Sequence, residues 1–194
     1  MLKMLKIGIL SLFFCTLAIG KPYVLENQNQ LLDKTTNFME ILSDEVFEKT
    51  GVSLYVVALE SLGTMNLEEQ EQEYLKNLKS PFVLLFFVRQ EKKIDIRASK
   101  EAEELFDKKS VYWDYIVPLI PKDDKELTKQ NVSAFLLNGF VDIADRIADS
   151  KNITLEHGFP KENKGVKIAV RTTLYVMLFV LLLLFLFVYL RRNK

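Results

Sequence analysis

The chain has little of the residue types that build cross-linked, fibrous or thiol-dependent proteins. Its 194 residues include one cysteine, one histidine and one tryptophan, together with 7 glycines and 5 prolines. So few glycines and prolines exclude a collagen-like or low-complexity chain, and a single cysteine excludes a disulfide-knotted miniprotein. Cleavage of a signal peptide before Lys21 would also remove Cys15. The exported chain would then have no disulfide, no cysteine nucleophile and no cysteine metal ligand.

The central region also lacks an excess of positive charge. Lys21 to Glu162 holds all 26 acidic residues but only 18 of the 26 basic ones, which gives a net charge of about −8. Long-range electrostatics do not draw such a region to nucleic acid or to anionic lipid headgroups. The charge pattern therefore argues against a nucleic-acid partner.

Residues 1–20 have the pattern of a secretory signal peptide. Two lysines precede an apolar run at 7–17, and small residues at 18 and 20 occupy the positions that a signal peptidase inspects. The apolar run is short for a helix that spans a bilayer. We predict cleavage before Lys21, and an uncleaved N-terminal anchor is the alternative.

Residues 172–190 form an apolar run of 19 residues without a charge. At ~1.5 Å per residue a helix of this length measures ~28 Å, enough to cross a hydrocarbon core of ~30 Å. Because the signal exports the preceding domain, the basic tail at 191–194 is expected in the cytoplasm. These patterns predict a single-pass protein of the bacterial inner membrane, with a periplasmic domain at 21–149 and a linker at 150–171.

Hydrophobic periodicity between the two apolar ends predicts alternating helices and strands. The predicted order is α-β-α-β-β-α-α-α, with helices at 30–50, 66–78, 99–106, 110–117 and 128–149 and strands at 52–59, 82–88 and 93–98. A βαβ crossover followed by a hairpin gives an α/β fold, in which a mixed β-sheet has helices on both faces in a three-layer α-β-α sandwich. A domain of this size buries a core without cross-links.

Several short segments of the central region match a known family. They are Glu48-Lys49-Thr50-Gly51 before Val52-Ser53-Leu54-Tyr55-Val56-Val57, Ser61-Leu62, the helix with Glu68, Glu69, Tyr74 and Leu78, Val83-Leu84-Leu85, Ile116-Val117-Pro118 and Val141-Asp142. In this order, between a signal and a C-terminal anchor, they resemble the TPM domain family over residues 30–149. Relatives in photosystem II repair imply a role in assembling or maintaining membrane protein complexes. Members described as acid phosphatases or divalent-cation binders imply a second activity.

The chain departs from the family pattern in the loops where that second activity would reside. Lys79-Ser80-Pro81 replaces a glycine-bearing Trp-Gly segment, and Arg97-Ala98-Ser99 replaces a Gly-Tyr-Gly-like turn. Without these glycines the backbone cannot easily approach a phosphate. We therefore predict a non-enzymatic accessory module that binds an integral-membrane protein or complex and has no cofactor. A divalent-cation-dependent phosphatase of the TPM type is the alternative.

Three carboxylates are candidates for holding a cation under that alternative. Asp107 aligns with an acidic position of the family, and Asp142 and Asp145 share one side of the last helix. Carboxylate oxygens suit Ca²⁺. The competing interpretation of the helical pair is a solvated face, on which Asp142 pairs with Arg146 four residues later.

An aromatic cluster precedes the prolines at 118 and 121. It consists of Tyr112, Trp113 and Tyr115. Trp and Tyr are favoured anchors at protein interfaces, so the cluster is a candidate recognition surface, and packing against the sheet is the alternative. His157, the single histidine, falls in the linker and is predicted to be solvated.

Overall fold

The computed structural model describes residues 22–159, 173 and 175–181. The predicted signal peptide, the basic tail and most of the predicted span lie outside these residues. Within the described residues, no helix is both long and apolar enough to cross a membrane. The chain divides into two units, of which the first ends at Gly158. In the second unit, residues 175–181 are helical.

Four strands of the first unit form one mixed sheet. They are β1 (Val24–Asn27), β2 (Ser53–Leu59), β3 (Phe82–Val88) and β4 (Lys93–Ala98), and they lie in the order β1-β2-β3-β4. The first three run parallel, and β4 pairs with β3 in the antiparallel direction. Strands β2 and β3 are buried on both faces, as their continuous apolar runs predict. The predicted α/β fold with a mixed sheet is confirmed.

The sequence analysis does not predict strand β1, so its element order lacks one edge strand. This strand has only four residues and is half-buried throughout, which is too short to show a period of two. Side-chain contacts from the following helix hold the segment in place. The backbone N–H groups of Tyr23 and Val24 donate to the two carboxylate oxygens of Glu40, at 2.9 and 2.8 Å. Such a long-range clamp has no signature in local sequence.

Among the described residues of this unit, five helices and a π-helical turn accompany the sheet. They are α1 (Asp33–Thr50), α2 (Leu67–Leu75), α3 (Lys100–Glu103), α4 (Lys108–Ser110), the π-helical turn (Val111–Ile116) and α5 (Lys129–Ser150), with short 3₁₀ turns at Val117–Leu119 and Asp124–Glu126. Helix α1 ends at Gly51, whose φ of 76° is left-handed, and Asn66 and Glu69 form a capping box on α2. The predicted helix at 110–117 is mostly the π-helical turn.

Helices cover both faces of the sheet. Helices α1 and α5 contribute Leu42 and Phe135 to the larger apolar cluster on one face. Helix α2 contributes Tyr74 to a smaller cluster on the other face. At Gly139, α5 lies so close to the π-helical turn that an added Cβ would stand 2.6 Å from Ile116 Cδ1. This close approach sets the position of the turn against the core.

The first residues of the predicted linker belong to the domain. Leu155 is buried in the larger apolar cluster, and the Nδ1 atom of His157 lies 2.8 Å from Glu45 Oε2. The prediction that His157 is solvated is confirmed in its exposure, since 44% of the side chain is exposed, but the prediction does not include its contact with the inward-facing carboxylate of Glu45. Burial alone would raise the pKa of Glu45, but hydrogen bonds from Lys49, Glu156 N and His157 lower it to about 2. The domain therefore extends past residue 149, to 158.

Candidate functional site

A groove of about 210 Å³ lies at the β4 edge of the sheet, between that strand and the π-helical turn. It is lined by Ile94, Asp95, Ile96, Arg97, Lys108, Lys109, Tyr112 and Trp113. This volume is below the ~300–1,000 Å³ of typical small-molecule sites. The groove has room for a side chain of a binding partner.

The most exposed aromatic side chain of the groove is Trp113. It is 62% exposed and packs edge-to-face on Tyr112, with ring centroids 5.1 Å apart. The two ends of the turn, Val111 and Ile116, are fully buried, so the turn is anchored, while Trp113 and Asp114 between them are exposed. An exposed tryptophan on an anchored element is typical of a binding surface.

The third residue of the predicted aromatic cluster faces elsewhere. The Arg146 guanidinium lies over the ring of Tyr115, 5.5 Å from its centroid. Asn138 Nδ2 donates to the Tyr115 carbonyl at 2.6 Å. The structure therefore divides the cluster: Tyr112 and Trp113 line the groove, and Tyr115 joins the turn to α5.

The outer edge of β4 carries backbone groups that point away from the sheet. Ser99 N–H donates to the Phe82 carbonyl at 3.0 Å, which fixes the alternation of the antiparallel ladder. By that alternation the backbone groups of Ile94, Ile96 and Ala98 point outward. Ile96 N–H confirms this direction, because it donates to Asp95 Oδ1 at 2.7 Å rather than to β3.

An ion cluster lies on the α2 side of the same strand. Arg97 Nε is 2.7 Å from Glu71 Oε2 and 2.9 Å from Asp95 Oδ2. Glu71 is 1% exposed, and within the described part of the chain its Oε1 atom has no hydrogen-bond partner. Burial raises the pKa of Glu71 to about 7; Arg97 opposes this rise and Asp95 adds to it. The cluster fixes Arg97 and Asp95 at the edge.

The three predicted cation ligands do not come together. Asp107 caps α4 by accepting from Lys109 N–H at 2.9 Å. Asp142 is 6% exposed and accepts from Arg146 Nε at 2.7 Å, and Asp145 lies against Gly158. Across residues 22–159, 173 and 175–181, no group of three or more histidine, cysteine or acidic residues could hold a metal ion.

Among the described residues, these carboxylates therefore give no support to a shared Ca²⁺ site. The competing interpretation of Asp142 and Asp145 is a solvated helix face on which Asp142 pairs with Arg146. The pairing is present, but Asp142 is buried. Burial raises the pKa of the Asp142 carboxyl, while Arg146 opposes the rise. The pair is part of the packing between α5 and the π-helical turn rather than of a solvated face.

A second groove, of about 410 Å³, lies between β1 and α2. Its lining includes Glu26, Glu73, Tyr55 and Tyr74. The Tyr74 hydroxyl donates to Glu26, and burial raises the pKa of Tyr74 above its usual range. Because the Tyr74 hydroxyl and the Glu26 carboxylate bind each other, these two groups are less available to a ligand than the outward backbone groups of β4 are.

No family model and no curated protein matches the chain. Among solved structures, an N-terminal domain from P. gingivalis is 17% identical and aligns with 73% of this chain and 91% of its own, with a TM-score of 0.56. The BA42 protein of Bizionia argentinensis is 13% identical over 65% of this chain and 90% of its own, with a TM-score of 0.44. An N-terminal domain from Corynebacterium glutamicum is 12% identical over 71% and 86%, with a TM-score of 0.46. The similarity to the P. gingivalis domain supports the fold alone.

Proposed function

We propose that this chain is a membrane-anchored accessory module of the TPM type, which binds an integral-membrane protein or complex and assists its assembly or maintenance. The observation that carries the proposal is the exposed Trp113 in the groove at the edge of β4. An exposed tryptophan, flanked by a second aromatic ring and by cations, has the composition of an interface anchor. A cation-dependent phosphatase has no comparable observation in its favour.

The sequence patterns at the two ends support a partner in the same membrane. We propose that residues 1–20 export the domain to the periplasm and that residues 172–190 anchor it in the bacterial inner membrane. Residues 159–171 then separate the domain from its anchor. A tether of this length raises the effective concentration of a membrane partner to roughly millimolar, so weak contacts suffice. The acidic domain is repelled by anionic lipid, which favours a protein partner.

Replacing Trp113 by alanine is expected to reduce recovery of the partner from detergent-solubilised membranes by about tenfold or more, because interface tryptophans contribute ~2 kcal/mol or more. The stability of the domain should change by less than ~0.5 kcal/mol, because the side chain is exposed. The measurement is co-purification with the tagged full-length chain from its own membranes.

Tyr115→Ala is the matched control, because Tyr115 belongs to the same turn but faces Arg146. This variant should lower the thermal midpoint while it retains the partner. Equal recovery with Trp113→Ala and with the parent chain would show that the groove is not the binding surface.

A further inference from the structure

We propose that the groove receives an extended acidic segment of the partner, which adds as a fifth strand along the outer edge of β4 and places an apolar side chain against Trp113. This inference rests on the proposed function and specifies how the partner binds. Three independent features of the described residues carry it: the direction of the backbone groups, the size of the groove and its charge.

The backbone of β4 offers a template for another strand. The N–H and carbonyl groups of Ile94 and Ala98 lie on the outer edge, on either side of Ile96. An added strand takes its affinity from main-chain hydrogen bonds to such groups. The Asp95 carboxylate already accepts a hydrogen bond from the outward N–H of Ile96. An incoming strand therefore has to displace this carboxylate, or to form its hydrogen bonds with Ile94 and Ala98 only. Arg97 binds the other oxygen of Asp95 and so provides a place for the displaced side chain.

The groove beside the edge suits the side chains of such a strand. Successive side chains of a strand point to opposite faces, so every second residue of an added strand would face the π-helical turn. There it would meet Tyr112 and Trp113 in a groove of about 210 Å³. An apolar side chain at this position would cover the exposed face of Trp113. Main-chain bonds then supply affinity, and the groove supplies selectivity.

The charge of the groove selects the occupant. Lys108 and Lys109 line the groove although the region from Lys21 to Glu162 carries a net charge of about −8. Lys108 binds Glu103, and Lys109 is exposed. An acidic residue on the added strand complements these cations. A second copy of the domain would bring the same lysines to the junction, so we favour an acidic segment of a different protein.

A peptide titration tests strand addition on the full-length chain in detergent micelles. The probe is a blocked peptide that alternates glutamate and valine, with a lysine–valine peptide as its charge-reversed control. Trp113 is the only tryptophan, so intrinsic fluorescence reports on the groove directly. We expect a saturable blue shift of the emission with the glutamate peptide and a much weaker response to the lysine peptide.

Two variants separate the backbone contribution from the charge contribution. Ala98→Pro removes an outward N–H but no bond to β3, a position where edge strands tolerate proline. It should weaken binding about fivefold, which is the loss expected for one hydrogen bond. Ala98→Ser retains the N–H and should bind like the parent. Lys109→Glu should weaken binding of the glutamate peptide and strengthen binding of the lysine peptide, which tests the proposal even if Ala98→Pro does not fold.

Three results would overturn strand addition. The first is an unchanged Trp113 emission when the glutamate peptide is added. The second is equal peptide binding by the parent and Ala98→Pro, together with an unchanged peptide preference in Lys109→Glu. The third is self-association of the chain that Ala98→Pro abolishes. The last result would assign the edge to a second copy. The proposed function is tested separately: if co-purification requires Trp113 but tolerates Ala98→Pro, the binding module stands and strand addition falls.

Discussion

Replacement of Asp142 by alanine is expected to lower the free energy of unfolding of the domain by ~2–4 kcal/mol. Removing one partner of a buried ion pair costs ~3–5 kcal/mol, because the other charge remains without its counter-ion. Asp142 is buried, whereas the Arg146 side chain is 29% exposed and can be partly solvated, so the loss should fall around or somewhat below the lower end of that range. Urea unfolding of residues 22–158, at neutral pH, measures it.

The effect should extend to the candidate site. Arg146 Nη2 donates to Ser110 Oγ at 3.0 Å, and Ser110 Oγ donates to Asp114 at 2.7 Å, so the pair joins α5 to the turn that bears Trp113. Loss of Asp142 should therefore alter the fluorescence of Trp113 in the folded state. Glu103→Ala is the matched control. It breaks the half-exposed pair with Lys108, and should cost less than ~1 kcal/mol. Equal losses in the two variants would contradict the structural role of the buried pair.

Substitution of Gly139 by leucine is the second change with a large expected effect. A Cβ at this position would already stand 2.6 Å from Ile116 Cδ1, and Ile116 is fully buried. Overpacking of a core lowers the free energy of unfolding by ~1–3 kcal/mol, and leucine adds three carbons beyond Cβ. This cost should exceed the ~1 kcal/mol of stability that a helix gains when a glycine is replaced. The urea midpoint should fall and the emission of Trp113 should shift, because Ile116 ends the π-helical turn.

Ala134→Leu provides the control for Gly139→Leu on the same helix. Position 134 is exposed, so the larger side chain meets solvent instead of Ile116. Its urea midpoint should remain within ~0.5 kcal/mol of the parent. If Gly139→Leu were as stable as this control, the close packing of α5 against the turn would not be the contact that positions Trp113.

The parts of the fold that could be predicted from sequence are those with local signals. The continuous apolar runs predict β2 and β3, and Asn66 with Glu69 predicts the start of α2. Strand β1 could not be predicted, because four residues show no period and the clamp by Glu40 comes from a later helix. The polar composition of residues 150–158 indicates a linker. Their packing depends on long-range contacts, namely burial of Leu155 in the larger apolar cluster and hydrogen bonds to the inward-facing carboxylate of Glu45.

The candidate site could be predicted in part. The aromatic cluster draws attention to Tyr112 and Trp113. Apolar and charged residues alternate along 93–98, a pattern that is typical of a strand near a sheet edge with one solvated face. The groove between the cluster and this strand could not be derived, because it joins residues from two segments through tertiary packing. Glu71, whose neighbour Arg97 is 26 positions away, was missed for the same reason. Asp142 and Asp145 lie on α5, whereas Asp107 caps α4, so the shared residue type does not by itself indicate a shared site.

The most direct measurement of the central claim is site-specific crosslinking in the living cell. A photoreactive amino acid at position 113 should crosslink the full-length chain to an integral-membrane protein. The same group at Gln72, an exposed residue of α2 on the opposite side of the sheet, should give no such product. A crosslink from position 113 alone is the result that this account predicts. The same product from both positions, or a product from position 72 alone, would contradict it.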